Sequence, residues 1–181
     1  MNQYEEICKD MGQRAKVASF ELAQIDQGTL DSALLAIADA VEAQTDEIMA
    51  ANQLDLDKSG DYNVPQTMID RLTLTPSRIS QMAEGVRQVA SIESPVGSVI
   101  ETITRPNGLV IEKRAVPFGV IGIIFEARPN VTIDAGVLCL KTANATILRG
   151  GKEAFHTNQI IVSIMRNTLE ILGITPDAIQ L

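Results

Sequence analysis

An acid, a guanidinium and an amide crowd the end of the run GVIGIIFEARPNVT, where an unbroken apolar stretch gives way to Glu126, Ala127, Arg128, Pro129 and Asn130. Arg128 can hold a phosphate or carboxylate through its planar fork of N–H donors, or it can pair with a neighbouring acid such as Glu126. Asn130 also has two uses. As a helix N-cap it would accept a backbone hydrogen bond, and turned outward it could donate its amide to a substrate oxygen on which negative charge develops. A second polar cluster, Arg149, Gly150, Gly151 and Lys152, ends the apolar run ATIL. Two cations around two glycines suit an anionic ligand that approaches the backbone closely, and they also describe ordinary surface charge. This segment is not a P-loop, which would need Gly at 146 and Ser or Thr at 153 where the chain has Thr146 and Glu153. A GxGxxG fingerprint is absent as well.

The remaining reactive side chains are less promising. Cys139 lies among Val137, Leu138 and Leu140 in a helical stretch, where desolvation disfavours the thiolate, so it is not read as a nucleophile. Lys141 in the same helix could orient groups near a ligand, or be solvated or structural. His156 is the only histidine, has no matching partner for a triad, and receives no catalytic role. Cys8 and Cys139 show no CxxC spacing, which argues against zinc and a disulfide framework and leaves both reduced.

The elements that must position these groups follow from periodicity. Ile7, Met11, Ala15, Ala18, Leu22 and Ile25 recur every three or four residues and predict a helix of about six turns. After a break at Gly28, Thr29 is the expected N-cap of a second helix with Leu30, Leu34, Ile37, Val41 and Ile48 inward, fading into the polar stretch 55–63. Thr75 and Pro76 announce a third helix bearing Ile79, Met82, Val86 and Val89. From Gly97 the pattern alternates on both sides of Pro106, Asn107 and Gly108, which predicts a β-hairpin. A strand at 119–125, a helix at 131–142, a strand at 145–149 and a helix at 154–172 ending at Gly173 complete a β-α-β-α series. Such a series implies a buried parallel sheet covered by helices. Residues 126–130 then sit at the carboxyl end of a strand, where open parallel sheets bind ligands. The fold class is therefore α/β, and no internal repeat is visible.

The run VPFGVIGIIFEARPNVTIDAGVLCLKTANATILRGGKEAFHTN, residues 116–158, with EARPNVT, CLKTANA and ILRGGKEA inside it, resembles the gamma-glutamyl phosphate reductase family of the aldehyde dehydrogenase superfamily. DRLTLTPSRI and ESPVG extend the resemblance over essentially the whole chain. It implies a helical segment at 1–96, a β-hairpin at 97–117 and a Rossmann-like β-α-β-α unit at 118–181. Together these would be the amino-terminal, incomplete part of an NADP-binding domain. The implied activity is NADPH-dependent reduction of L-glutamyl 5-phosphate to L-glutamate 5-semialdehyde in proline biosynthesis. Asn130 falls where the superfamily keeps its oxyanion-stabilising amide, and Arg128 is assigned to the substrate. Arg149, Gly150, Gly151, Lys152 and Glu126 are assigned to the cofactor, the two cations suiting a 2′-phosphate. The family's reactive cysteine lies in a Thr-Cys-Asn stretch that this sequence does not contain. The expectation is accordingly an amino-terminal fragment, inactive alone, with a non-catalytic NADP-binding or interaction module as the alternative. A homo-oligomer of the full-length protein is implied, and the glutamate 5-kinase that makes the substrate is a further implied partner.

Composition is consistent with these readings. The chain has 181 residues, of which 45% are hydrophobic and 3% aromatic, which suits one globular core of Ala, Val, Ile and Leu. A net charge of −8 argues against nucleic acid as the main partner. The charge is uneven: residues 1–96 hold 7 basic and 16 acidic side chains, and residues 97–181 hold 8 and 7. The second stretch is thus the better host for an anion. No apolar run reaches membrane-spanning length and the first residues carry acids, so no membrane partner, no metal and a cytoplasmic location are expected.

Overall fold

The computed structural model describes residues 2–60, 62 and 65–181. Helix α1 (Gln3–Leu22) opens with a capping box: the Asn2 side chain accepts from Tyr4 N–H at 2.7 Å, and Glu5 accepts in return from Asn2 N–H at 3.0 Å. Its inward stripe is Ala15, Ala18 and Leu22, whereas Ile7 is exposed and Ile25 lies beyond the last turn. Helix α2 (Gln27–Ala43) begins three residues earlier than expected, with Asp26 rather than Thr29 as N-cap. The Asp26 carboxylate accepts from Thr29 N–H at 3.0 Å and Thr29 Oγ1 at 2.6 Å. The long second helix is divided. Gln44, at φ −104° and ψ 27°, separates α2 from α3 (Thr45–Asp57), so Asp55 lies inside a helix and not in a polar loop. The rest of the predicted loop falls partly outside the described residues.

A short helix α4 (Gln66–Leu72) was not anticipated, and α5 (Pro76–Ser91) starts as expected, with Thr75 accepting from Arg78 N–H. Strands β1 (Val99–Thr104) and β2 (Val110–Arg114) form the antiparallel hairpin, turning where Gly108 takes φ +85°, a conformation that glycine adopts without a Cβ penalty. Every residue of both strands is exposed. Then come β3 (Val120–Ile124), α6 (Pro129–Lys141), β4 (Ala145–Arg149), a 3₁₀ turn at Lys152–Ala154, α7 (Phe155–Ile171) and β5 (Ile179–Gln180). Helix α7 ends with Gly173 at φ +74° and Ile174 N–H returning to Leu169 O at 2.9 Å.

Strands β3, β4 and β5 form a parallel sheet in that order, with β4 central. One continuous core joins the sheet to α1, α2, α5, α6 and α7, with Leu22, Leu34, Ile37, Ile79, Leu140 and Ile161 at its centre. The expectation of a buried strand at 119–125 fails for one face of β3, where Ile124 is 87% exposed, and the preceding Phe118 is 92% exposed. Strand β3 is an edge, and only its alternate residues face the core.

Candidate functional site

Both polar clusters leave the sheet at the same rim. In the parallel register Ile124 pairs with Arg149, and Phe125 N–H donates to Arg149 O at 3.0 Å. The chain after β3 and the chain after β4 therefore turn away at one level, over the amino end of α6. Packing within the protein favours glycine at both Gly150 and Gly151. A Cβ on Gly150 would lie 2.2 Å from Asn158 Nδ2 and 3.1 Å from the Phe125 ring, and one on Gly151 would lie 3.1 Å from Ala127 N. The close backbone approach they permit is made between the two turns.

Asn130 does not cap α6. Arg128 occupies the N-cap position, Pro129 the first helical position and Asn130 the second, because proline's fixed φ suits the first turn and costs no hydrogen bond there. The Asn130 side chain is exposed, and its Nδ2 donates to Asp134 Oδ2 at 3.3 Å, one turn along the helix. Partial burial pushes the Asp134 carboxyl above the usual carboxylate range, and the Asn130 hydrogen bond opposes that shift. Arg128 is also exposed. It forms no ion pair with Glu126 or any other acid among the described residues, its only link to Glu126 being the backbone bond from Arg128 N–H to Glu126 O at 2.8 Å.

The rim carries two separate clefts. Arg128, Asn130 and Asp134 line one of about 430 Å³ together with Arg71 and Arg78. Arg149, Gly150, Gly151 and Lys152 line another of about 500 Å³, with Tyr4 and Phe155 on its walls. Glu126 is exposed and lines neither. Arg149 donates through Nη1 to its neighbour Gly150 O, and the Lys152 ammonium stands 4.5 Å from the centroid of the Tyr62 ring.

Three side chains outside the rim serve the fold. Lys141 is 4% exposed, and its Nζ donates to Asp31 Oδ1 at 2.6 Å and to Ala90 O at 2.8 Å. It ties the far end of α6 to α2 and α5, so it does not orient groups at the rim. Cys139 is 5% exposed, and burial pushes its thiol up, a hydrogen bond to Thr146 working the other way. His156 accepts from Lys58 Nζ at 3.0 Å on the surface. Sequence reasoning missed Asp55, which is buried in α3 and accepts from His156 N–H at 3.0 Å, Thr157 N–H at 2.8 Å and Thr157 Oγ1 at 2.6 Å. It caps α7 from another helix and so fixes the element that follows the Arg149–Lys152 turn. Among the described residues no group of three or more His, Cys, Asp or Glu could hold a metal ion, and no helix is long and apolar enough to cross a membrane.

No protein-family model matches the chain. Individual proteins do. Over 171 residues, 94% of its length, the chain is 50% identical to a gamma-glutamyl phosphate reductase of Opitutus terrae, and over 172 residues it is 49% identical to the enzyme of that name from Proteus mirabilis. It spans about two fifths of those relatives' length, 40% and 41%. Among solved structures, the gamma-glutamyl phosphate reductase of Thermotoga maritima superposes with a TM-score of 0.91 at 34% identity, covering 94% of this chain and 41% of that one. A probable aldehyde dehydrogenase of Listeria monocytogenes gives a TM-score of 0.70 at 17% identity over 97% of this chain and 36% of its own, a likeness of fold.

Proposed function

We propose that this chain, which is a homologue of part of the gamma-glutamyl phosphate reductases and shares their fold, supplies the cofactor and oxyanion side of a reductase acting on L-glutamyl 5-phosphate. The whole protein would reduce this acyl phosphate to L-glutamate 5-semialdehyde and phosphate with NADPH, a step of proline biosynthesis. Segments 1–96, 97–117 and 118–181 would together form the amino-terminal part of the cofactor-binding domain. The observation that carries the reading is the emergence of Asn130 and of the Arg149–Lys152 turn on one rim of a parallel sheet, each lining a cleft.

The residues present suit the cofactor. Arg149 and Lys152 bring two cations to the second cleft, which fits the 2′-phosphate that distinguishes NADPH from NADH. When bound, the nicotinamide supplies the hydride. The chain's own contribution is electrostatic. An acyl carbon attacked by a thiolate places negative charge on its oxygen, and a fixed donor such as the Asn130 amide is worth about 3 kcal/mol to that transition state. Arg128 would hold an anionic end of the substrate beside it. Neither cysteine suits the thiolate. Cys139 lies nine residues along α6 from Asn130, about 13 Å at the helical rise, and is buried, while Cys8 is on α1. The attacking thiol is therefore assigned to the part of the relatives' length that this chain does not span.

The test is a chimera in which this chain replaces the matching segment of the Opitutus terrae protein. NADPH oxidation dependent on glutamyl phosphate is expected, falling about a hundredfold in kcat for Asn130→Ala. Lys152→Glu should raise KM for NADPH far more than for NADH. An inactive but folded chimera would overturn the reading, and equal losses with both nucleotides would remove Lys152 from the 2′-phosphate.

A further inference from the structure

The cleft beside Asn130 receives three guanidiniums from two distant stretches of chain, Arg71 and Arg78 from the α4–α5 region and Arg128 from the end of β3. They are not equivalent. Arg78 is committed to the protein: its Nη1 donates to Asp70 O at 2.5 Å and Thr73 O at 2.6 Å, and its Nη2 reaches Asp70 Oδ1 at 3.5 Å. It clamps the α4–α5 turn and thereby fixes where Arg71 stands. Arg71 and Arg128 are exposed, and neither has a side-chain hydrogen-bond or ion-pair partner among the described residues. The two carboxylates of the cleft form no ion pair with them: Asp70 stands 3.5 Å from Arg78, and Asp134 receives the Asn130 amide. Like charges that share a concavity repel, and an anion between them removes that cost while gaining charge-assisted hydrogen bonds.

We propose that Arg71 and Arg128 form a two-guanidinium clamp for one oxyanion end, phosphate or carboxylate, of the ligand whose reacting carbonyl lies at Asn130. This rests on the preceding reading of the site and extends it to Arg71, which becomes a substrate-positioning residue, with Arg78 as the brace that holds it. The stretch DRLTLTPSRI thus carries one jaw of the clamp together with its brace.

The test uses the isotopically labelled 181-residue chain at low ionic strength, where such attraction is least screened, titrated with inorganic phosphate and, separately, with L-glutamate. At least one anion should shift the Asn130 side-chain amide and the Arg71 and Arg128 resonances saturably. Arg71→Gln and Arg128→Gln should each weaken that binding about tenfold, the loss of one charge-assisted contact, while Arg114→Gln in the hairpin should leave it unchanged. Arg71→Lys should fall between, because it keeps the charge and loses the fork. Saturation by phosphate alone assigns the clamp to the phosphate end, and by glutamate alone to the carboxylate end. No saturable shift with either anion, or binding indifferent to both Gln variants, overturns the proposal. An active chimera whose KM ignores Arg71→Gln would sink the clamp and leave the reductase reading standing. Anion binding as described in a chimera without activity would do the reverse.

Discussion

At Asp134 burial raises the carboxyl's hold on its proton, while the Asn130 amide 3.3 Å away favours the charged form. Burial dominates, so the folded-state pKa lies above the unfolded one. The stabilisation from the protonated form is then complete below the ordinary carboxylate range and is lost as pH rises through the elevated value. Asp134→Asn removes that slope. In urea denaturation the variant should gain on the parent between pH 4 and pH 7, and a difference that stays constant with pH would show that Asp134 is not displaced. The same residue bears on Asn130. Its carboxylate competes for the amide that the proposed chemistry needs, a local conflict of the kind that accumulates at functional sites. None of this was readable in NVTID, because whether Asn130 caps the helix or stands within its first turn depends on where Pro129 falls in the helix.

Helix α7 shows what periodicity reveals and what it hides. Its span and its glycine stop were legible, as were the hairpin turn, the Thr75 cap and the β-α-β-α order, since each rests on neighbours within a few positions. Its start was legible to within one residue, but the group that caps it was not. The residue at its N-cap is Ala154, which has no side-chain acceptor, and that lack was the one available signal. The acceptor is Asp55, 101 and 102 positions earlier, inside a helix that the polar composition of its surroundings disguised as loop. Asp55→Ala strips three hydrogen bonds from a buried helix start, and a loss of about 3 kcal/mol in chemical denaturation is expected. A loss below about 0.5 kcal/mol, the size of an ordinary surface change, would mean that α7 does not depend on this cap. The division of α2 from α3 at Gln44 is hidden for a related reason: a stripe with helical spacing continues through the break.

Taken as a whole, the chain is a cored body with a bare arm. The hairpin strands pair with each other and not with the parallel sheet, and residues such as Ile100 and Val110 are 62% and 56% exposed. Ser98 and Ala115 at its base are already hydrogen-bonded at 3.0 Å, so a short Gly-Ser link can replace residues 99–114. Because the arm buries little, that replacement should move the thermal midpoint by no more than about 4 °C, whereas a fall of about 10 °C would place it in the cooperative unit. The body behaves differently where its two strand ends meet. At Gly151 a Cβ would stand 3.1 Å from Ala127 N, closer than side chains ordinarily pack, so contact between the two main chains helps set the spacing of the two clefts. A lineage altering what this surface accepts could exchange the arginines, the lysine or the amide one at a time, but it could not slide one bay relative to its neighbour without first rebuilding the seam between them.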